Sequence, residues 1–235
     1  MSRTVHKADF QVLLVAKAPV PGSAKTRLCP PATPEHAAEI AAASLLDTLD
    51  TLLHTPGAVP TVALAGHVDH AARGPELAAM LRDVSVIRQC HGDLGRRLAR
   101  ALADAATLHP GVPTVLVGMD TPQLTAGLLT GAATRMCDGR GDAVLGEATD
   151  GGWWLLGLRE PANPAVLHTL SEIPMSRADT GTRTMHSLHD AGLRVNRAPR
   201  LSDVDTMLDA VAVAETIPGS RFATTLSGIP REWAS

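Results

Sequence analysis

The sequence predicts an α/β protein with three layers, in which helices cover both faces of a mostly parallel sheet. Short apolar runs without alternation, such as Val12–Ala16, are typical of strands that are buried on both faces. These runs alternate with longer segments whose apolar residues recur at helical spacing, as in 94–108. Strands separated by helices favour a parallel sheet, with ligands bound at the edge where the strands end.

The elements follow from these patterns in chain order. The predicted strands cover residues 12–16, 61–65, 84–87, 114–117, 143–145, 153–156 and 193–197. The first long helix begins with Thr33 as N-cap and Pro34 at the first helical position, and it ends near Thr55. Further helices are predicted at 75–81, 94–108, 125–136, 164–170, 182–191 and 206–215. We expect one domain over residues 1–217, followed by a partly ordered tail over 218–235 that has no clear period.

Composition excludes several classes of protein. The 235 residues are 45% hydrophobic and 19% charged, which indicates a folded core, and the net charge of −3 gives no reason to expect nucleic acid as a partner. No apolar run reaches membrane-spanning length, and the N-terminus lacks the apolar stretch of a signal peptide, so we expect a cytoplasmic protein without membrane contact. Cys29, Cys90 and Cys137 are odd in number and lie far apart, which argues against a disulfide framework and a thiolate zinc site.

The segment after the first strand, residues 17–28, is named the lysine loop here. The chain has three lysines, and two of them, Lys17 and Lys25, lie in this loop together with Arg27. The segment from Gly22 to Lys25 offers consecutive backbone N–H groups, an arrangement that binds anions. We therefore predict an exposed loop that binds a phosphate, and the candidate nucleotide-binding residues at this end of the strand are Ala16, Lys17, Gly22, Lys25 and Arg27.

The Lys-Thr pair at the end of Gly22–Thr26 invites comparison with a P-loop, which the sequence excludes. A P-loop requires glycine directly before the lysine and a second glycine five residues earlier, but Ala24 and Pro19 occupy these positions. Pro30 and Pro31 would also stop the helix that a P-loop lysine begins.

Aspartates after later strands predict a metal site. Asp120 directly follows the fourth strand, where a carboxylate could hold Mg²⁺ or Mn²⁺, although it could instead cap the following turn. Asp205 precedes the last helix, and it is equally suited to be that helix's N-cap or a second metal ligand. Asp203 lies two residues earlier and would share a face with Asp205 in an extended segment.

Two further segments follow strands and complete the predicted site. In residues 148–153, the paired glycines either let a ligand approach the backbone or make a tight hairpin, and only one of Trp153 and Trp154 can face the site. The candidate ligand-binding residues here are Asp150, Gly151, Gly152 and Trp153, and in a group-transfer enzyme they would bind the acceptor. The start of the second long helix suits an anion or a base edge, and its predicted nucleotide-binding residues are Gln89, Gly95 and Arg97.

These motifs together resemble a bacterial glycosyltransferase-like family with the GT-A fold of nucleotide-diphospho-sugar transferases. The resemblance rests on KAPVPGSAKTRL (17–28), GMDTPQL (118–124), ATDGGWWLLGL (148–158) and LSDVDTMLD (201–209). Through residues 25–28, the chain is more distantly similar to guanylyltransferases of deazaflavin and molybdenum cofactor biosynthesis. The resemblance implies that Lys25 and Arg27 contact nucleotide phosphates, that Asp120 stands in place of the metal-binding Asp-x-Asp motif, and that Asp205 is the second metal carboxylate. This sequence has one aspartate rather than two around position 120.

The expected function is therefore that of a metal-dependent transferase with Lys25 and Asp120 as catalytic residues. Its partners would be a nucleotide or nucleotide-sugar donor and a small-molecule acceptor, and its cofactor would be Mg²⁺ or Mn²⁺. The sequence leaves open whether the enzyme transfers a glycosyl or a nucleotidyl group, and it leaves the oligomeric state open. A non-catalytic nucleotide-binding or partner-binding module on the same fold is the alternative.

Overall fold

A seven-stranded sheet forms the middle layer in the computed structural model, which describes residues 9–229 of the chain. Its strands are β1 (Phe10–Lys17), β2 (Ala58–Ala65), β3 (Ser85–Arg88), β4 (Thr114–Gly118), β5 (Ala143–Glu147), β6 (Trp153–Leu158) and β7 (Val195–Arg197). Their order across the sheet is β3-β2-β1-β4-β6-β5-β7. Neighbouring strands are parallel, except that β6 runs antiparallel to both β4 and β5. The prediction of a mostly parallel sheet is confirmed.

The first seven α-helices of residues 9–229 lie close to their predicted positions, and the eighth lies in the predicted tail. They are α1 (Pro34–Leu53), α2 (Gly74–Met80), α3 (Leu94–Leu108), α4 (Ala126–Cys137), α5 (Pro164–Glu172), α6 (Thr180–Asp190), α7 (Met207–Thr216) and α8 (Arg221–Ser227). The side chain of Thr33 accepts the N–H of His36, so α1 begins at the predicted cap.

The central strands are buried on both faces, as their unbroken apolar sequence predicts. In β1, Val12 and Leu14 pack into one apolar cluster with Leu45 of α1. Leu13 points to the other face and packs with Leu102 of α3. Helices therefore cover both sides of the sheet, and the three-layer architecture is confirmed.

The end of the described chain is more regular than its sequence indicates. Residues 221–227 form α8, which packs against α1, and Phe222 is fully buried. The carboxylate of Asp47 accepts the backbone N–H of Phe222 at 2.9 Å and so fixes the start of this helix. Seven residues make fewer than two helical turns, which is too short for a period to be visible in the predicted tail. Residues 230–235 lie outside the described part of the chain.

The segments that contain the predicted site residues lie at one edge of the sheet. The parallel strands β1 and β4 end there at Lys17 and Gly118, and β5 ends there at Glu147. Because β6 is antiparallel, it begins at the same edge with Trp153. None of the helices within residues 9–229 combines the length and the apolar character needed to cross a bilayer.

Candidate active site

The lysine loop places Lys25 and Arg27 in different surroundings. Lys25 has a left-handed backbone (φ 49°) and precedes a single 3-10 turn, Thr26–Leu28, whose last side chain is fully buried. The buried Leu28 anchors the turn, so Lys25 is directed inward with 10% of its side chain exposed, whereas Arg27 is 69% exposed. The expectation that Lys25 is an exposed loop cation is therefore wrong.

The backbone of the lysine loop offers fewer free N–H groups than its sequence indicates. The N–H groups of Ser23 and Ala24 both donate to the carbonyl of Val20, at 3.0 and 3.2 Å. Gly22 supplies a positive φ of 73° for this turn and is exposed outside the cleft. The prediction of an uninterrupted anion-binding row of N–H groups is wrong for Ser23 and Ala24, so the positive charge of the loop comes from its side chains.

Two carboxylates converge on the ammonium group of Lys25. Its Nζ lies 2.7 Å from Oδ1 of Asp120 and 3.4 Å from Oδ1 of Asp205, and it also donates to the carbonyl of Val204. Burial alone would lower the pKa of Lys25, but the two carboxylates outweigh burial and raise the pKa above its ordinary value. Lys25 is therefore a charged bridge between segments that are distant in the sequence.

Neither predicted metal carboxylate serves as a helix or turn cap. The carboxylate of Asp120 accepts no backbone N–H within residues 9–229, while its main-chain carbonyl accepts the N–H of Val204 at 2.9 Å. The N-cap of α7 is Thr206, which forms a capping box with Asp209. Asp205 is thus left to face the cleft, where Arg27 contacts its second oxygen at 3.2 Å.

Asp203 is an additional acidic group in the cleft. Asp203 and Asp205 both line the cleft and Val204 between them is buried in the core, which is the alternation that their spacing predicts. Burial raises the pKa of Asp203 to about 7, against the lowering effect of a 2.8 Å hydrogen bond from Thr121, and the charges of Asp120 and Asp150 raise it further. The alternating Asp-Val-Asp sequence is the signal that could have added Asp203 to the site.

The turn between β5 and β6 uses its paired glycines for close packing. Gly151 has a φ of 90°, and a Cβ at this position would lie 1.9 Å from the carbonyl oxygen of Ala178. This packing explains Gly151 without a ligand, and Gly151 does not line the cleft. Asp150 and Gly152 do line it, and the carboxylate of Asp150 accepts the N–H of Gly152 at 2.8 Å.

The two tryptophans face opposite sides of β6, as the strand periodicity predicts. Trp153 lines the cleft. Trp154 is 2% exposed, and its indole N–H donates to the carbonyl of Pro199 at 3.0 Å. Trp153 therefore belongs to the wall of the site and Trp154 to the core.

Besides Gly22, four predicted nucleotide-binding residues lie outside the lining of the cleft, namely Ala16, Gln89, Gly95 and Arg97. Gln89 donates to the carbonyl of Ala16 at 2.8 Å, and Arg97 donates to the side-chain oxygen of Gln89, also at 2.8 Å. Gly95 is buried where α3 meets α5, and a Cβ there would lie 2.4 Å from the carbonyl oxygen of Leu170. These residues connect strands and helices beside the site rather than facing into it.

The cleft itself has a volume of about 590 Å³. The predicted site residues that line it are Lys17, Lys25, Arg27, Asp120, Asp150, Gly152, Trp153 and Asp205. Residues 174–180, named the Arg177 loop here, supply a further part of the wall that the sequence did not predict. This loop joins α5 to α6 and follows no strand, so the rule that sites form after strands could not find it.

The acidic groups fit a divalent cation only together with a substrate. Asp120 and Asp205 both face the position of the Lys25 ammonium group, so their oxygens can converge on a cation. Within residues 9–229, no three His, Cys, Asp or Glu side chains are grouped so that they could hold a metal ion by themselves. Two carboxylates completed by phosphate oxygens are a ligand set that Mg²⁺ commonly takes.

Comparison with known families places the chain. The family model of DUF2064, described as an uncharacterized protein conserved in bacteria, matches residues 48–177. The chain belongs to this family. Among curated proteins, no sequence matches it.

Solved structures support the fold assignment. A protein of Desulfovibrio desulfuricans G20, provisionally described as a nucleotide-diphospho-sugar transferase, is 28% identical over 94% of this chain and 93% of its own, with a TM-score of 0.78. The CMP:2-keto-3-deoxy-manno-octonic acid synthetase in complex with CTP is 12% identical over 88% of this chain and 99% of its own, with a TM-score of 0.51. A cytidylyltransferase of Leptospira borgpetersenii is 14% identical over 94% and 98% of the two chains, with a TM-score of 0.52. The last two are similar in fold alone. This member of DUF2064 has the fold of the nucleotide-diphospho-sugar transferase superfamily, as its sequence resemblance implies.

Proposed function

We propose that this chain is a transferase that binds an activated nucleotide, either a nucleoside triphosphate or a nucleotide sugar, in the cleft. The observation that carries the proposal is the meeting of the lysine-loop cations with Asp120, Asp203 and Asp205 at the edge where the parallel strands end. Ligands of open α/β sheets bind at this edge. The provisional description of the Desulfovibrio protein and the CTP complex of the synthetase agree with this class of ligand.

The cations of the lysine loop would neutralise the phosphates. Lys17 donates to the carbonyl of Ser23 at 2.8 Å, which holds its charge at the cleft. Arg27 is exposed and can turn its planar group from Asp205 to a phosphate. Lys25 can contact a phosphate after it releases at least one of its two carboxylates. Stabilisation of charge in this way accounts for much of catalysis in phosphoryl transfer.

The carboxylates that Lys25 releases are the proposed ligands of Mg²⁺ or Mn²⁺. Asp120 and Asp205 would hold the ion, and the ion would supply neutralising charge to the phosphates. Lys25 thus compensates the carboxylates when the site is empty and the phosphates when it is filled. Metal and nucleotide should therefore bind cooperatively, since each provides partners that the other needs.

The acceptor would supply the nucleophile from the side of Asp150 and Trp153. In nucleotidyl transfer, an acceptor oxygen forms a bond to the α-phosphorus and pyrophosphate leaves. In glycosyl transfer, the acceptor forms a bond to the anomeric carbon and a nucleoside diphosphate leaves. Identification of the released product distinguishes the two reactions, and a non-catalytic module would release neither.

The test begins with a thermal-shift screen of nucleoside triphosphates and nucleotide sugars, with and without Mn²⁺. Calorimetric titration of the best ligand should then give a lower dissociation constant with Mn²⁺, by about 5- to 150-fold, which corresponds to a coupling of about 1–3 kcal/mol. Asp120→Asn is nearly isosteric and removes one carboxylate charge, so it should abolish most of this coupling and all turnover. The loss of stability should be about 1 kcal/mol or less, because Asp205 still pairs with Lys25.

Asp104→Asn is the matched control, because it removes the same charge from the outer surface of α3, where Asp104 pairs with Arg100. It should leave the coupling unchanged. Nucleotide binding that is equally tight without metal would overturn the proposed metal site. Absence of binding by every nucleotide and nucleotide sugar in the screen would overturn the proposed function itself.

A further inference from the structure

Arg177 is the cation of the cleft whose hydrogen-bonding groups are least used. Lys17, Lys25 and Arg27 each contact a protein oxygen at 2.7–3.2 Å. Within residues 9–229, the guanidinium group of Arg177 donates no hydrogen bond, and the carboxylate of Asp179 lies 3.8 Å from its Nε. Asp179 is held more closely by Arg183, at 2.6 Å. Arg177 therefore presents an available planar fork to the cleft that it lines.

The backbone that carries Arg177 is held in place. The backbone N–H of Arg177 donates to Oγ1 of Thr180 at 3.0 Å, and the backbone N–H of Thr180 donates to the carbonyl of Arg177 at 3.0 Å. The Thr180 hydroxyl in turn donates to the carbonyl of Pro174 at 3.0 Å. Thr180 is 3% exposed, whereas the Arg177 side chain is 63% exposed. Because the main chain is already fixed, only the Arg177 side chain has to be ordered when a ligand binds.

The Arg177 loop is attached to the predicted acceptor wall. The N–H of Gly181 donates to the carbonyl of Gly151 at 2.8 Å. A Cβ on Gly181 would lie 2.5 Å from the carbonyl oxygen of Gly152, so the two backbones are in direct contact. Arg177 thus belongs to the same wall of the cleft as Asp150 and Trp153, whereas the lysine-loop cations come from a separate segment.

We propose that Arg177 binds an oxyanion of the acceptor, so that the acceptor is a small molecule with a carboxylate or phosphate group. Both groups match the planar fork of arginine with two parallel hydrogen bonds. This inference rests on the proposed function, in which the nucleotide phosphates occupy the lysine loop. Lys17, Lys25 and Arg27 are the cations assigned to the nucleotide phosphates, which leaves the Arg177 guanidinium for a second anionic group in the same cleft.

Three small probes that share a three-carbon skeleton separate the possibilities: glycerol is neutral, glycerate carries a carboxylate and glycerol 3-phosphate carries a phosphate. The Nε–H signal of Arg177 in a nitrogen-15 NMR spectrum, assigned by its loss in Arg177→Gln, reports binding at this side chain. We expect a saturable shift with glycerate, with glycerol 3-phosphate or with both, and none with glycerol. The charged probe that binds more tightly identifies the oxyanion.

Arg177→Gln should weaken binding of that probe about ten-fold or more, as measured by ligand-observed NMR at constant ionic strength. Arg100→Gln removes the same charge from the surface of α3 and should have no effect. A static Arg177 signal with both charged probes, or equal affinity of Arg177→Gln and the unmodified protein, would overturn the inference.

Lys25→Gln separates the acceptor site from the nucleotide site. The Arg177 titration should persist in this variant, even though nucleotide binding is weakened. If the titration is lost with Lys25, Arg177 serves the nucleotide phosphates and the inference is wrong while the proposed function stands. If Arg177 titrates in a protein that binds no nucleotide, the proposed function fails and the anion site remains.

Discussion

Opposite edges of the sheet each carry a cluster of charged side chains. The two clusters differ in how far neighbouring cations compensate the negative charge of the carboxylates. At the edge away from the cleft, Asp142 accepts from Nε of Arg194 at 2.8 Å and also pairs with Arg159. The hydrogen bonds from the side chain and backbone of Arg194, together with the charge of Arg159, hold the pKa of Asp142 well below its usual range. In the cleft, by contrast, burial raises the pKa of Asp203 to about 7.

The difference lies in the ratio of cations to carboxylates. Asp142 precedes β5, Arg159 follows β6 and Arg194 precedes β7, so one carboxylate with two arginines joins three strands. In the cleft, Asp120 and Asp205 share Lys25, whereas the buried Asp203 forms no ion pair within residues 9–229, so its negative charge is incompletely compensated. A cluster that is satisfied by its own side chains stabilises the fold, whereas one with uncompensated charge is suited to receive a ligand.

The largest expected effect is that of Lys25→Ala on the cleft. Loss of a charge-assisted contact should weaken nucleotide binding by about 1.5–3 kcal/mol, or roughly 10- to 150-fold, as measured by calorimetry. Because Lys25 is 10% exposed and bridges two carboxylates, the free energy of unfolding should fall as well. Arg27→Ala is the control, since Arg27 is 69% exposed and its removal should weaken binding with little change in stability. An unchanged dissociation constant for Lys25→Ala would remove Lys25 from the nucleotide site.

An effect of opposite sign is expected for Asp203→Asn. The pKa of Asp203 is raised in the folded protein, so its ionisation destabilises the fold, increasingly as the pH rises from about 4 to 7 and fully above 7. Asn keeps the acceptor for Thr121 without the charge, so the variant should be more stable than the unmodified protein by about 1–3 kcal/mol at pH 8. This gain should shrink toward pH 4.

Chemical denaturation at several pH values measures this difference. Asp104→Asn, on the exposed surface of α3, should show no comparable pH-dependent gain. A loss of stability for Asp203→Asn at pH 8 would mean that the ionised carboxylate is well compensated. The charge of Asp203 would then stabilise the fold, as that of Asp142 does at the other edge.

The smallest effect is expected for Asp142→Asn at the other edge. The pKa of Asp142 is lowered in the folded protein, so its charge stabilises the fold above the unfolded pKa of about 3.9, and this contribution is lost as the pH falls below that value. The arginine side chains are 39% and 57% exposed, so screening by solvent limits the loss at pH 7 to about 1 kcal/mol. Denaturation should give a difference that disappears in acid. A variant as stable as the unmodified protein at pH 7 would show that the charge of Asp142 contributes nothing to the stability of the fold.

Local sequence predicted the elements of this fold well. The bounds of α3, Leu94–Leu108, agree with the predicted helix because its apolar face is regular and Asp93 caps its start. The buried strands also followed from their unbroken apolar runs, and the opposite orientations of the two tryptophans followed from the two-residue period of a strand. These features depend on neighbours within a few residues, which a single sequence displays directly.

Features that depend on distant partners could not be predicted. The burial of Lys25 requires Asp120 and Asp205, and the need for glycine at position 151 comes from Ala178. The Arg177 loop enters the cleft because α6 packs where it does, and nothing in residues 174–180 indicates this. The sequence showed which types of charged residue form the cleft, but it did not show which partners each of them contacts.

The bridge between Lys25 and Asp205 also has a consequence for how the protein acquires its activity. These residues are 180 positions apart, so the contact closes a loop that includes most of the chain. Contacts of such high separation are entropically costly until the intervening elements have assembled. We therefore expect a nascent or truncated chain that ends before Val204 to have a less ordered lysine loop and a lower affinity for nucleotide, because Lys25 then lacks two of its partners. Because a nucleotide would bind more tightly once this contact has formed, it should shift the folding equilibrium toward the assembled cleft by mass action.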